Sequence, residues 1–117
     1  MRLSVEIMLR GNNHVFTETL IHGVEPAAWT PEDVAVILKG MLRAMAKAQD
    51  PQAPEPQEIA LRGMNWIVHP ADDGGVVIAV EIHSASAVAG PIAMAAPTLD
   101  GLISKAVAAD SRPGLVH

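Results

Sequence analysis

The sequence has no cysteine and few aromatic or basic residues. The absence of cysteine excludes disulfide bonds, thiolate nucleophiles and thiolate metal sites. Aromatic residues make up 3% of the chain, and its 8 lysine and arginine residues leave a formal net charge of −5. A protein that binds nucleic acid needs cations that face the phosphates, or rings on which unpaired bases stack. We therefore expect no nucleic-acid partner.

A long apolar segment is also missing. The longest run without a formal charge, residues 82–99, contains Gly90, Pro91 and Pro97, which makes it a poor membrane span. Near the start of the sequence, Glu6 interrupts the apolar region that a signal peptide requires. We expect no membrane partner and a soluble, cytoplasmic protein.

The motifs of common catalytic sites do not occur in the sequence. There is no glycine-rich phosphate loop, no HExxH and no GxSxG elbow. The residue pattern resembles no particular family. We expect a protein that is not an enzyme, and the sequence alone does not indicate its biochemical function.

The clearest pattern covers residues 30–48 and predicts an amphipathic helix. Six large apolar residues recur at the spacing that places side chains on one face of a helix: Val34, Ile37, Leu38, Met41, Leu42 and Met45. Thr30 fits the N-cap and Pro31 fits the first helical position. Such a helix needs a sheet or another helix to cover its apolar face.

Four segments predict β-strands, at residues 3–9, 14–22, 58–69 and 76–84. The first two are separated by glycine and asparagine and predict an antiparallel hairpin. The last two flank a turn that contains a proline and two adjacent glycines, and they predict a second hairpin.

The segment after the last predicted strand fits no simple period. Residues 84–96 are almost all small and uncharged. They are compatible with an extension of the strand, with a loop against the core, or with a surface that contacts another subunit. A second helix is expected to begin at Pro97 or Thr98 and to end near Asp110.

These elements predict an α+β fold with the order ββαββα. A four-stranded, mainly antiparallel sheet with both helices on one face buries each apolar stripe between two layers. We expect a single domain over residues 1–110 and a disordered tail over residues 111–117.

The face of the sheet opposite the helices is expected to carry large apolar residues. With the phase chosen for each strand, these residues are Met8, Phe16, Leu20, Met64 and Trp66. Contiguous apolar surface is typical of an interface, so we expect a dimer or larger homo-oligomer, or binding of another protein. The alternative is that the phase of a strand is wrong and that these residues belong to the core.

The same face offers a second hypothesis, a small enzyme or ligand-binding protein. Its candidate residues are Glu81 and His83 on one strand and His22, Glu6 and Glu18 on neighbouring strands. Histidines with carboxylates can hold a divalent metal, or act as a general base with its orienting acid. The alternative is a plain hydrogen-bonded pair. No other cofactor is predicted, and an apolar small-molecule pocket beside residues 84–96 is a third hypothesis.

Overall fold

The fold is a five-stranded sheet with two helices, in a computed structural model that describes residues 1–54, 59–72 and 74–110. In chain order the elements are β1 (Arg2–Leu9), β2 (Val15–Ile21), α1 (Pro31–Gln49), β3 (Asn65–Pro70), β4 (Val76–Glu81), β5 (Ala85–Ile92) and α2 (Ala96–Asp110), with a short 3-10 helix at Pro26–Ala28. The strand order is β2-β1-β5-β4-β3, and every neighbouring pair is antiparallel. The predicted α+β class, with an antiparallel sheet and two helices, is confirmed.

The sheet has five strands where the sequence predicted four. The additional strand, β5, comes from the segment of small residues and lies in the centre of the sheet, between β1 and β4. Ala85, Ala87 and Ala89 point into the core and are at most 5% exposed. Small side chains give a weak periodic signal, so the sequence pattern allowed an extension of the preceding strand but did not predict a separate strand.

Helix α1 forms as the sequence predicts. The Thr30 side chain accepts a hydrogen bond from the Asp33 N–H, and the Asp33 carboxylate accepts one of 2.8 Å from the Thr30 N–H, which makes a capping box. Pro31 lies in the first turn, where no N–H donor is needed. The buried face of α1 consists of Val34, Ile37, Leu38, Met41, Ala44 and Met45. Full burial of a large apolar side chain contributes about 1.5–3 kcal/mol, so this face holds α1 against the sheet.

Both helices lie on the same face of the sheet and share one core. The core cluster combines α1 with the inward residues of the sheet and of α2, among them Val5, Ile78 and Ile103, which are fully buried. Helix α1 contacts β1, β2 and β5, helix α2 contacts β3, and the helices contact each other. The described residues therefore cover one face of the sheet and leave the other open.

A polar contact joins the end of α2 to the segment before β3. Asp110 Oδ2 accepts a hydrogen bond of 2.7 Å from the Leu61 N–H, and Lys39 Nζ of α1 lies 3.1 Å from Asp110 Oδ1. The backbone hydrogen bond from Leu61, together with the nearby Lys39, lowers the pKa of the Asp110 carboxyl. One carboxylate thus connects three separate parts of the chain on the helix side of the sheet.

The phase of β2 differs from the prediction. Phe16 pairs with Ile7, and Leu20 pairs with Leu3. Residues that are directly opposite in an antiparallel pair point to the same side of the sheet. Since Ile7 and Leu3 are buried under the helices, Phe16 and Leu20 point to the helix side as well.

The same correction applies to β3. Trp66 pairs with the buried Val80, so its side chain points to the helices, and Met64 also packs against the core. Of the five residues predicted for the open face, only Met8 lies there, with 53% of its surface exposed. The alternative, a wrong strand phase, is correct for the other four. Both sides of these strands carry apolar residues, so the two-residue period did not distinguish the phases.

Some predictions fall outside the described residues. They concern the tail at residues 111–117, the start of the predicted strand at Glu58, and Asp73 in the second turn. The extent of the domain, residues 1–110, stays a prediction. No helix in the described ranges is long and apolar enough to cross a membrane, and the cytoplasmic location stays a prediction.

Gly75 provides a test of the turn between β3 and β4. It has a φ of +76°, and a Cβ at this position would lie 2.7 Å from the backbone oxygen of Ile92 in β5. Gly11 has a similar φ of +81° but open space around it. We predict that Gly11→Ala lowers the free energy of unfolding by about 1 kcal/mol, the cost of left-handed backbone. Gly75→Ala should lower the free energy of unfolding by at least about 2 kcal/mol more than Gly11→Ala does, because the turn or β5 must move to make room for the Cβ.

Urea unfolding followed by circular dichroism measures both glycine variants, and Gly11→Ala is the matched control for the backbone conformation. Equal losses of stability in the two variants would contradict the close approach of the turn to β5.

Candidate functional site

The open face of the sheet carries most of the exposed large apolar residues of the described chain. Five of them lie on this face: Met8 (53% exposed), Val15 (43%), Ile21 (76%), Ile67 (58%) and Val88 (39%). A further one, Val36, lies on the outward side of α1. Large exposed apolar residues that cluster on one surface are typical of an interaction site.

Cross-strand pairing brings several apolar residues into one row. Val88 of β5 lies opposite Glu6 on one side and Ala79 on the other, and Ala79 lies opposite Ile67. Val88, Ala79 and Ile67 therefore form a continuous row across three strands, which spans about 10 Å at the usual strand spacing. Met8, two residues after Glu6 on β1, extends the exposed apolar surface beside this row.

Charged residues of both signs share the open face with the apolar row. Arg2 and Glu6 belong to β1, and Glu81 is the last residue of β4; all three are exposed. Within the described part of the chain, none of the three forms an ion pair or a side-chain hydrogen bond. These charges are therefore free to interact with a molecule that covers the face.

A shallow cleft lies where the open face meets the end of β4. Its volume is about 450 Å³, and its lining includes Met8, Arg10, Asn65, Glu81, His83 and Ser86. Arg10 Nη1 donates a hydrogen bond of 3.3 Å to the His83 carbonyl oxygen. Arg10 and Glu81 line the same cleft but form no ion pair with each other. The cleft thus offers separate positive and negative groups to a polar ligand or to the rim of a partner.

The structure does not bring together all the residues predicted for a metal or acid–base site. Glu81 and His83 line the cleft, and Glu6 points from the same open face. Glu18 and His22 lie on the helix side, because β2 has the opposite phase to the one predicted. Among the residues that the structure describes, no group of three or more His, Asp and Glu side chains could hold a metal ion.

His22 instead belongs to a polar cluster at the start of α1. In the tautomer with a proton on Nε2, this atom donates a hydrogen bond of 2.9 Å to Asp33 Oδ1. The Trp29 ring lies edge-on to the His22 ring, with the centroids 6.2 Å apart. The backbone hydrogen bond from Thr30, followed by the side-chain bond from His22, lowers the pKa of Asp33. The cluster fixes the path of the chain from β2 into α1.

Several residues of the open face were not identified from the sequence. Val88 and Ser86 lie in β5, which was not assigned as a strand, and Ile67 reaches this face through the corrected phase of β3. Arg10 directly follows β1, and an isolated cation in a turn has no sequence pattern that indicates a site. The signal that could have identified Val88 is the alternation of alanine with serine and valine in residues 85–89, which has the two-residue period of a strand.

The comparisons with known proteins gave no match. No family model, no curated protein and no solved structure is significantly similar to the chain.

The lowered pKa of Asp33 makes part of the stability depend on pH. A carboxyl group with a lower pKa in the folded state stabilises the fold above its ordinary pKa of 3.8. This contribution is lost as the pH falls through the folded value. We predict that Asp33→Asn lowers stability at neutral pH, and that the difference from the wild type shrinks as the pH falls below the ordinary pKa of 3.8.

Glu32→Gln is the matched control for this pH dependence. Glu32 is exposed in the same turn of α1 and forms no ion pair or side-chain hydrogen bond with the described residues. Urea midpoints measured over a pH series compare the two variants with the wild type. If the difference between Asp33→Asn and the wild type is the same at every pH, the Asp33 carboxylate does not have a lowered pKa.

Proposed function

We propose that this chain is a non-catalytic assembly domain and that a second copy of the chain covers its open sheet face. The observation that carries the proposal is the apolar row of Val88, Ala79 and Ile67, with the exposed Met8 beside it. Burial of each large side chain favours association by up to about 1.5–3 kcal/mol. Two antiparallel sheets can stack about 10 Å apart with such side chains between them.

A second copy suits this face because the face carries charges of both signs. A two-fold axis brings one patch into contact with the same patch of the partner, so attractive pairs require both signs within the patch. Arg2 supplies a cation, Glu6 and Glu81 supply anions, and none of the three is engaged within the described chain. The patch on one copy can therefore form ion pairs with the same patch on a second copy.

The size of the face agrees with a specific dimer of moderate affinity. Five strands at a spacing of about 4.8 Å, each with about six residues of about 3.3 Å, give a face of about 24 by about 20 Å. Two such faces bury on the order of 1,000 Å², which is near the lower limit for specific complexes. Association should therefore be measured up to high micromolar concentrations.

We predict that the wild-type protein forms a dimer or a larger oligomer and that Ile67→Lys weakens the open-face contact at least about tenfold. The lysine would place an unpaired charge at the β3 end of a buried apolar row. Val36→Lys is the matched control, because Val36 is 56% exposed but lies on α1, away from the open face. Light scattering coupled to gel filtration and sedimentation equilibrium measure the mass.

A wild-type protein that is monomeric at high micromolar concentration would contradict the proposal. Equal effects of Ile67→Lys and Val36→Lys would contradict it as well. Salt gives an independent measurement: each copy carries a net charge of −5, so screening should strengthen a contact that apolar groups drive. Weaker association at high salt would show that ion pairs dominate instead.

A further inference from the structure

Strand β2 forms one edge of the sheet, and its outer side is free in the described part of the chain. The Met1 amino group donates to the His22 oxygen, and the His22 N–H donates to the Met1 oxygen. Hydrogen-bonded pairs alternate with non-bonded pairs in an antiparallel ladder, so Leu20, Glu18 and Phe16 are the residues of β2 that bond to β1. The other residues of β2, Val15, Thr17, Thr19 and Ile21, direct their N–H and C=O groups outward.

This edge lacks most of the features that usually prevent further strand pairing, and Glu18, which points to the helix side, is its one charged residue. β2 has seven residues with no proline and no lysine, and it pairs with β1 without a register shift. The other edge strand, β3, is shorter and ends at Pro70, which has no N–H to donate. β2 is therefore the edge that is better suited to accept an additional strand.

The sequence of β2 is its own complement for antiparallel pairing. It reads VFTETLI, which is chemically symmetrical about Glu18. A two-fold axis perpendicular to the sheet at Glu18 places Thr17 opposite the partner's Thr19 and Phe16 opposite the partner's Leu20. It also places Val15 opposite the partner's Ile21. Threonine pairs, aromatic–aliphatic pairs and pairs of β-branched residues are the favourable cross-strand combinations.

The backbone pattern agrees with the same register. The residues with outward N–H and C=O groups, Val15, Thr17, Thr19 and Ile21, are opposite one another in this pairing. Each such pair can exchange two hydrogen bonds, which gives about eight backbone hydrogen bonds between the copies. Registers shifted by two residues give fewer bonds and place Glu18 opposite an apolar residue.

The residues beside the edge also accommodate a second copy. Leu20, Gly40 and Ala44 line a groove of about 730 Å³ between β2 and α1, and Leu20 itself is half-buried. The partner's Phe16 would lie next to Leu20 and cover this side of the groove. The two Glu18 carboxylates would lie opposite each other, but each has a cation beside it, since Lys47 Nζ is 3.6 Å from Glu18 Oε1.

We infer that β2 pairs with β2 of a second copy in this register and forms a continuous ten-stranded sheet. This contact does not depend on the open-face contact of the proposed function. The two contacts are compatible, because one uses the outer edge of β2 and the other uses the open face. Two perpendicular two-fold axes that intersect would close an assembly of four copies.

The absence of cysteine makes the register testable by disulfide formation. In the inferred register Glu18 lies opposite the partner's Glu18 as a non-bonded pair, with the Cα atoms about 4.5 Å apart, within the range of a disulfide. We expect the Glu18→Cys protein to form a covalent dimer when it is incubated with oxidised glutathione. Non-reducing electrophoresis measures the fraction of covalent dimer.

Ile21→Cys is the matched control for random collision. Ile21 is 76% exposed, so random collisions would favour a thiol at this position over one at position 18. In the inferred register the two Ile21 residues are about 20 Å apart along the strands, too far for a disulfide. Glu18→Cys should therefore cross-link at least about tenfold faster than Ile21→Cys. Equal rates, or no covalent dimer of Glu18→Cys, would overturn the inference.

A second substitution separates this contact from the open-face contact. Ile67→Lys, combined with Glu18→Cys, should leave the cross-linking rate unchanged, because Ile67 lies on β3 at the far edge. Thr19→Pro, combined with Glu18→Cys, removes an outward N–H and should reduce the rate at least about tenfold in protein whose circular dichroism is unchanged. A rate that depends on Ile67 and not on Thr19 would assign the cross-link to the open face and overturn the β2 contact.

Discussion

The burial of one face of the sheet by α1 and α2 is the constraint on which the rest of the structure depends. The fully buried residues of α1 require an apolar surface opposite them, and the inward residues of β1, β2 and β5 provide it. The described chain supplies two helices, and both lie on the same side. The open face and the outer edge of β2 are therefore the surfaces that the helices leave for other contacts.

The central position of β5 follows from the size of its side chains. Apart from Ile92 at its end, its inward residues are alanines, which keep little volume between the sheet and α1, so the large residues of the helix can fill the core. A strand between two neighbours also has its backbone groups paired on both sides, which suits a segment with few side-chain contacts of its own. The same small side chains explain why the sequence pattern did not identify this strand.

The amount of structure that could be predicted differed between the elements for physical reasons. Helix α1 combines a cap at Thr30 with a wide apolar stripe, and both hairpins have turn residues between alternating strands, so the helix and the presence of both hairpins were predicted correctly. Strand β3 begins at Asn65, later than predicted, because Gly63 interrupts the run before it. The phase of β2 was predicted wrongly, because Val15 and Ile21 on one side of the strand are as apolar as Phe16 and Leu20 on the other. The candidate site depended on this phase, which is why His22 and Glu18 were assigned to the wrong face.

The apolar residues on both sides of β2 make its phase ambiguous in the sequence, and they also suit it to pair with β2 of a second copy. A strand that is buried on one side and solvated on the other usually carries polar residues on the solvated side, which reveal its phase. β2 ends instead in Val15 and Ile21 on the open face, where both are exposed in the single subunit. Pairing of two β2 strands about Glu18 brings Val15 against the partner's Ile21 at each end. Val15 and Ile21, which make the phase of β2 ambiguous in the sequence, are thus the residues that a second copy would cover.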